Sequence, residues 1–162
     1  MATVRYIVRD VSQAIAFYRE SLGFEVLALT SGQRPPNEIL AERLRAGGGV
    51  CLLADRDLSR NGVVVTFFGE PAKMPAGPAF LAATTGAALL PVSMWFTADG
   101  WGQRINPPVA IHTDGALRDR VAVGTQALAD VFATDIADHP ADWHMMQKLW
   151  LADLAPLDGR RP

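Results

Sequence analysis

A chain of 162 residues and 17.5 kDa holds about one domain of material. Its 49% hydrophobic and 20% charged residues exclude a disordered or collagen-like chain. The net charge of -2 and pI near 5.9 argue against a nucleic-acid partner, and the single cysteine, Cys51, supports neither an internal disulfide nor a thiolate zinc site. A reducing, cytoplasmic setting is therefore the default. Residues 1–10 lack the apolar run of a secretory signal. Met74 to Ala98 carries no charge, but Pro75, Gly77, Pro78, Gly86 and Pro91 interrupt it, which favours buried elements over a membrane span.

In chain order, Thr3 to Val8 alternates as a strand, and Asp10 or Ser12 caps a helix with apolar Ala14, Ile15, Phe17, Tyr18 and Leu22. Gly23 ends that helix, and Phe24 to Leu29 reads as a second strand. After a Gly/Pro loop, Asn37 caps a short helix closed by Gly47-Gly48-Gly49. Val50 to Ala54 is wholly apolar, as a strand buried on both faces is, and leads into Asp55-Arg56-Asp57-Leu58-Ser59-Arg60-Asn61-Gly62. Val63 to Phe68 follows as a strand, Pro78 to Thr85 as a helix, and Ala88 to Phe96 as another buried strand. Gln103 to Asn106 suits an edge strand before Pro107-Pro108. Ala116 to Asp138 is helical, with Leu117, Val121, Leu128, Phe132 and Ile136 in one stripe, and the aromatic segment Trp143 to Leu151 packs back on the sheet. The alternation indicates an α/β sandwich with a mixed, mostly parallel sheet flanked by helices.

Two stretches carry family resemblances. Thr3 to Asp10 followed by Ala14-Ile-Ala-Phe-Tyr-Arg-Glu-Ser-Leu-Gly-Phe24 resembles the first βαβ of a glyoxalase/bleomycin-resistance (vicinal oxygen chelate) module, over residues 1–27. Residues 18–154 resemble the C-terminal half of actinobacterial phosphatidylinositol mannoside acyltransferases, within the lipid A lauroyl/myristoyl acyltransferase family. The segments that carry this likeness are Arg43-Leu-Arg-Ala-Gly47, Leu53-Ala-Asp-Arg-Asp-Leu-Ser-Arg-Asn-Gly62, Phe67-Phe-Gly-Glu70, Met74-Pro-Ala-Gly-Pro78 and His139-Pro-Ala-Asp-Trp-His144. The expected organisation is a βαβ segment at 1–27, a seam within 17–29, an acyltransferase part at 28–154 and a tail at 155–162.

The second resemblance implies transfer of a long acyl chain from acyl-CoA to a mannose hydroxyl of a glycolipid, at the inner face of the plasma membrane, with peripheral membrane contact and no cofactor. Such chemistry needs a general base and donors for the oxyanion. The family's base is a histidine followed five positions on by Asp or Glu. Here the residues five beyond His112, His139 and His144 are Leu117, His144 and Leu149, so the motif is absent from the chain. The resemblance implies that Glu70 pairs with that histidine as catalytic carboxylate; the plainer role is a solvated glutamate capping a helix after Pro71. Without the histidine, the resemblance implies a chain inactive alone.

The segment Arg56, Asp57 and Arg60 follows an apolar strand, where α/β sheets place ligand sites, and either binds a phosphate or forms a surface Arg–Asp turn. Arg34 is a similar candidate or a plain loop arginine. Phe67, Phe68, Met74 and Phe80 wall an acyl channel or belong to ordinary core, and Gly69 and Gly77 of the same motifs are substrate-binding candidates. Of Trp95, Trp101, Trp143 and Trp150, three are expected inside and one at a membrane interface. No metal site is expected: His139 and His144 lack further ligands at known spacing, and Thr3-Val4-Arg5 lacks the oxygen-chelate histidine. A half-sheet with an open edge and an apolar face predicts self-association. A non-catalytic acyl-CoA or lipid-binding remnant, or a small-molecule-binding oxygen-chelate protein, are the competing readings.

Overall fold

The structure is a computed structural model that describes residues 10–21, 34–57 and 62–154. The chain divides into two compact units, Met1–Leu53 and Ala54–Pro162. In the first, helix α1 (Val11–Ala16) opens where Asp10 Oδ1 accepts the Gln13 N–H at 3.0 Å, the cap expected from the sequence, and runs into a π-helical turn at Phe17–Ser21. Both strands of the expected βαβ segment lie outside the described residues. Helix α2 (Pro36–Arg45) starts one residue before Asn37, with proline in its first turn. It ends at Gly47, whose φ of 80° lets Gly48 N–H reach Arg43 C=O at 2.9 Å.

The second unit is built on two antiparallel hairpins and one long helix. Strands β1 (Val63–Phe67) and β2 (Glu70–Met74) pair from Val63↔Met74 to Phe67↔Glu70. Strands β3 (Val92–Thr97) and β4 (Gly100–Ile105) pair from Val92↔Ile105 to Thr97↔Gly100. The mixed, mostly parallel sheet is therefore corrected: among the described residues every strand pair is antiparallel. The reason is local, because two-residue turns join each pair, and parallel strands need a long crossover. Val50 to Ala54 is also not a buried strand. It makes no ladder, and Leu52 and Leu53 are exposed.

Helix α3 (Gly77–Thr85) ends at Gly86, φ 75°, and Arg120 Nη2 donates to Ala83 C=O at 2.9 Å in its last turn. Helix α4 (Leu117–Asp138), 22 residues and about 33 Å long, packs against α3, β1 and β3. Gly124 permits the α3 approach: a Cβ there would meet Ala79 Cβ at 3.3 Å and overlap the Ile111 side chain. The expected stripe on α4 is buried at Val121 and Leu128 and packed at Phe132 and Ile136, while Leu117 at the helix start is exposed. The main core joins Val65, Phe67, Ala72 and Met74 of the first hairpin to Ala129 and Leu149, with Trp143 and Trp150 packed around it. Trp150 also bridges Ala72 as a strand fragment ahead of the short helix α5 (Leu151–Leu154), so the aromatic tail segment does fold back on the sheet.

The second hairpin packs on one face only. Val92, Met94 and Phe96, with cross-strand partners Ile105 and Trp101, form an exposed apolar face, correcting the fully buried strand expected over Ala88 to Phe96. The other face is held by a carboxylate. Asp135 of α4, buried, accepts hydrogen bonds from Ser93, from Arg104 Nη1 at 2.8 Å and from Asn106 Nδ2 at 2.6 Å. Burial alone would push this carboxyl up. The hydrogen bonds from Ser93, Arg104 and Asn106, with the arginine's charge, outweigh it and hold the group below its usual range.

Candidate functional site

The turn Phe67-Phe68-Gly69-Glu70 forms the tip of the first hairpin. Phe68 and Gly69 have φ of 51° and 82°, the double positive pattern that matches the right-handed twist of a hairpin. Glycine adopts it freely, whereas a bulky aromatic does not, at a cost of about 1–2 kcal/mol. The Phe68 ring is half exposed and lies 4.6 Å from Phe67 and 6.2 Å from Trp143, centroid to centroid. Glu70, expected to cap a helix or serve a histidine, begins a strand. Alternation puts it on the face of Phe67, Ala72 and Met74, yet it is exposed because the core stops short of the tip.

The aromatic lattice reaches from this tip to the Asp55–Arg56 segment. Phe67 and Trp143 lie edge to face at 5.8 Å, and Trp143 meets Trp150 at 6.5 Å. Trp143 Nε1 donates to Asp55 Oδ2 at 3.1 Å, and Trp150 Nε1 to Phe67 C=O at 3.1 Å. Trp143 thus ties the Phe-Phe-Gly-Glu turn to the start of the Asp-Arg-Asp segment. The spacing of 88 residues between Trp143 and Asp55 gave no signal of this in the sequence.

Beyond Asp55, Asp57 Oδ2 accepts the Gly62 N–H at 2.9 Å. Arg56 and Asp57 line a cleft of about 140 Å³ with Lys73 of β2 and Lys148, over Met145 and Leu149. Arg60 lies outside the described residues. The two lysines were not singled out from the sequence; being the chain's only lysines was the one available hint.

The remaining candidates divide. Phe67 and Met74 are fully buried in the core, the plainer of the two readings for them, and Phe68 is exposed. Gly69 is exposed at the turn, and Gly77 opens α3. Arg34 belongs to the first unit, where it pairs with Glu42 and, at 3.7 Å, with Glu38. Donating to Glu42 holds the Arg34 guanidinium more firmly protonated, and accepting those bonds lowers the Glu42 carboxyl. Trp95 stacks on His139 at 4.3 Å with Arg104 5.8 Å from its ring, so Trp95, Trp143 and Trp150 are packed and Trp101 alone, 66% exposed, faces out. Among the described residues no group of three potential metal ligands gathers. No helix among them is long and apolar enough to cross a membrane.

A family model described as bacterial lipid A biosynthesis acyltransferase matches residues 1–152. The chain belongs to that family. It is 60% identical over 144 residues to the phosphatidylinositol mannoside acyltransferase of Mycolicibacterium smegmatis, covering 89% of this chain and 45% of the relative. It is 61% identical over 138 residues to the protein of the same name from Mycobacterium tuberculosis strain H37Rv, covering 85% and 42%. The chain spans less than half the length of these curated relatives.

Proposed function

We propose that this chain contributes to acyl-CoA-dependent acylation of a mannose hydroxyl on phosphatidylinositol mannoside. The supporting observation is the 60% identity, over 89% of the chain, to a relative bearing that name. In this reading Glu70, exposed at the tip of β1–β2, orients a general-base histidine supplied by the part of the family domain that this chain does not contain. The imidazole takes the hydroxyl proton, the alkoxide attacks the thioester carbonyl, and the tetrahedral intermediate expels CoA thiolate. Phe68 and its aromatic neighbours offer apolar surface to the acyl chain. Arg56 receives phosphate, with Asp57 and Arg60 assigned to the same phosphate-binding segment, and Arg34 is kept as a further substrate-binding candidate. The work is done at the inner face of the membrane, which the exposed Trp101 and its apolar neighbours touch peripherally.

The test is release of free CoA from palmitoyl-CoA with a mannosylated phosphoinositide acceptor. The chain alone is expected to release none. Mixed with the remaining part of the M. smegmatis relative, it should give acceptor-dependent release that Glu70→Ala lowers at least 100-fold while the two parts still associate. An unchanged rate in that variant refutes the assigned role of Glu70, and turnover by the chain alone refutes the missing-base reading.

A further inference from the structure

The cleft beside Asp55 carries a charge pattern of which the acyl-transfer reading uses only Arg56 and Asp57. It brings together Arg56 and both lysines of the chain, Lys73 and Lys148, with one acid, Asp57. That sum is three positive charges against one negative, in a protein whose net charge is -2. Among the described residues, no carboxylate forms a salt bridge with Arg56, Lys73 or Lys148. Asp57 is partly committed, since Oδ2 already accepts the Gly62 amide at 2.9 Å. Each cation is positioned by a different piece of structure. Arg56 follows Asp55, which Trp143 holds; Lys73 sits in the β2 ladder opposite Val64; Lys148 precedes Leu149, which is buried in the core. Three elements thus aim like charges at one cleft, a repulsive arrangement in the empty state that an anion relieves.

We infer that the Arg56–Lys73–Lys148 cleft binds a phosphomonoester, which under the proposed function is the terminal phosphate on the nucleotide end of the acyl donor. The charge count selects the ligand. A phosphomonoester carries about -1.5 to -2 at pH 7, which balances the net +2 of the cleft. The single charge of a phosphoinositide's diester does not. Arginine supplies a planar fork and the lysines supply compact point charges, the usual mixture around a phosphate with several free oxygens. Met145 and Leu149 give an apolar floor against which a flat or methylene-rich part of the same molecule rests.

The inference borrows only the source of the phosphate from the acyltransferase reading, so its test uses a ligand without an acyl group. Lys73 and Lys148 are the only side-chain amines, which makes amine footprinting unambiguous. The full chain is acetylated with a limiting reagent, with and without adenosine 3′,5′-bisphosphate, and modification at each lysine is read by mass spectrometry. The expected result is at least fivefold slower modification of both lysines with the bisphosphate. Adenosine and glycerophosphoinositol at the same concentration should give less than twofold protection. Direct titration should show binding weakened at least tenfold in Lys73→Ala/Lys148→Ala, and falling with added salt. Equal protection by adenosine, stronger protection by glycerophosphoinositol, or unchanged binding in the double variant overturns the inference. Those results leave the CoA-release test untouched, just as absence of CoA release leaves this footprint standing.

Discussion

Replacing Asp135 with alanine tests the second hairpin's attachment to α4. The carboxylate accepts three donors from residues 93, 104 and 106, so one substitution loosens β3, β4 and the exit from β4 together. Arg104 keeps Asp138 at 3.0 Å and is partly solvated, and its loss is small. Ser93 and Asn106 are worse placed. Their donors lose a charged acceptor in a part-buried site, at about 1–3 kcal/mol each. The expected total is about 3–4 kcal/mol. In a unit of roughly 100 residues, that lowers the thermal midpoint by about 12–18 °C. Urea unfolding followed by tryptophan fluorescence suits the measurement, because Trp95 stands beside Arg104 and reports the hairpin directly.

The same variant gives a pH signature. Asp135 is held below the ordinary carboxyl range in the fold, so its contribution is present above that range and is lost as pH falls through the folded value. The wild-type chain therefore loses stability below about pH 4, and Asp135→Ala loses less over the same interval. A loss under about 1 kcal/mol in the variant at pH 7, or an identical acid profile, refutes the reasoning.

Gly102 lies directly across from Trp95, and a Cβ there would fall within the indole ring, so Gly102→Ala should destabilise by about 1–3 kcal/mol and displace the Trp95–His139 stack, seen as a changed near-ultraviolet dichroism spectrum. Adjacent phenylalanines should behave oppositely in urea unfolding. Phe67→Ala should cost about 3–5 kcal/mol, whereas Phe68→Gly should stay within about 1 kcal/mol of wild type, because relief of positive φ offsets the lost ring contacts; equal losses contradict this. Light scattering at micromolar concentration should show self-association through the face of Val92, Met94, Phe96, Trp101 and Ile105, and Trp101→Lys should reduce it. A monomeric wild-type chain ends that expectation.

Helix content was legible where a periodic stripe met clear stops: Gly86 closed α3, and the apolar stripe marked α4 to within a residue of its start. The hairpin β1–β2 was half hidden. Phe68-Gly69 is not a usual hairpin pair, and Pro71 argues against a strand. The register resolves this, because Thr66 and Pro71 occupy a pair whose backbone groups point away from each other, so the missing N–H removes no ladder bond. The motif residues Arg56, Asp57 and Glu70 were visible from the sequence, whereas Lys73 and Lys148 join that region only through folding. The Asp135 network was likewise silent, since its donors lie 29 to 42 residues away.

The outward backbone groups of Thr66 bear on how this chain meets others. Thr66 N–H donates to Gln126 Oε1 at 2.8 Å, and its carbonyl accepts Gln126 Nε2 at 2.9 Å. A side-chain amide thus occupies the two positions that a neighbouring strand would take. Gln126 is steadied by Asp130 at 2.8 Å. The free margin of β1 is closed by a residue of the helix beneath it, so strand addition at that margin is blocked without a further strand. Polymerisation by sheet extension is thereby disfavoured along β1, and contacts that the chain makes there are steered to side-chain surfaces, where geometry and sequence choose the partner.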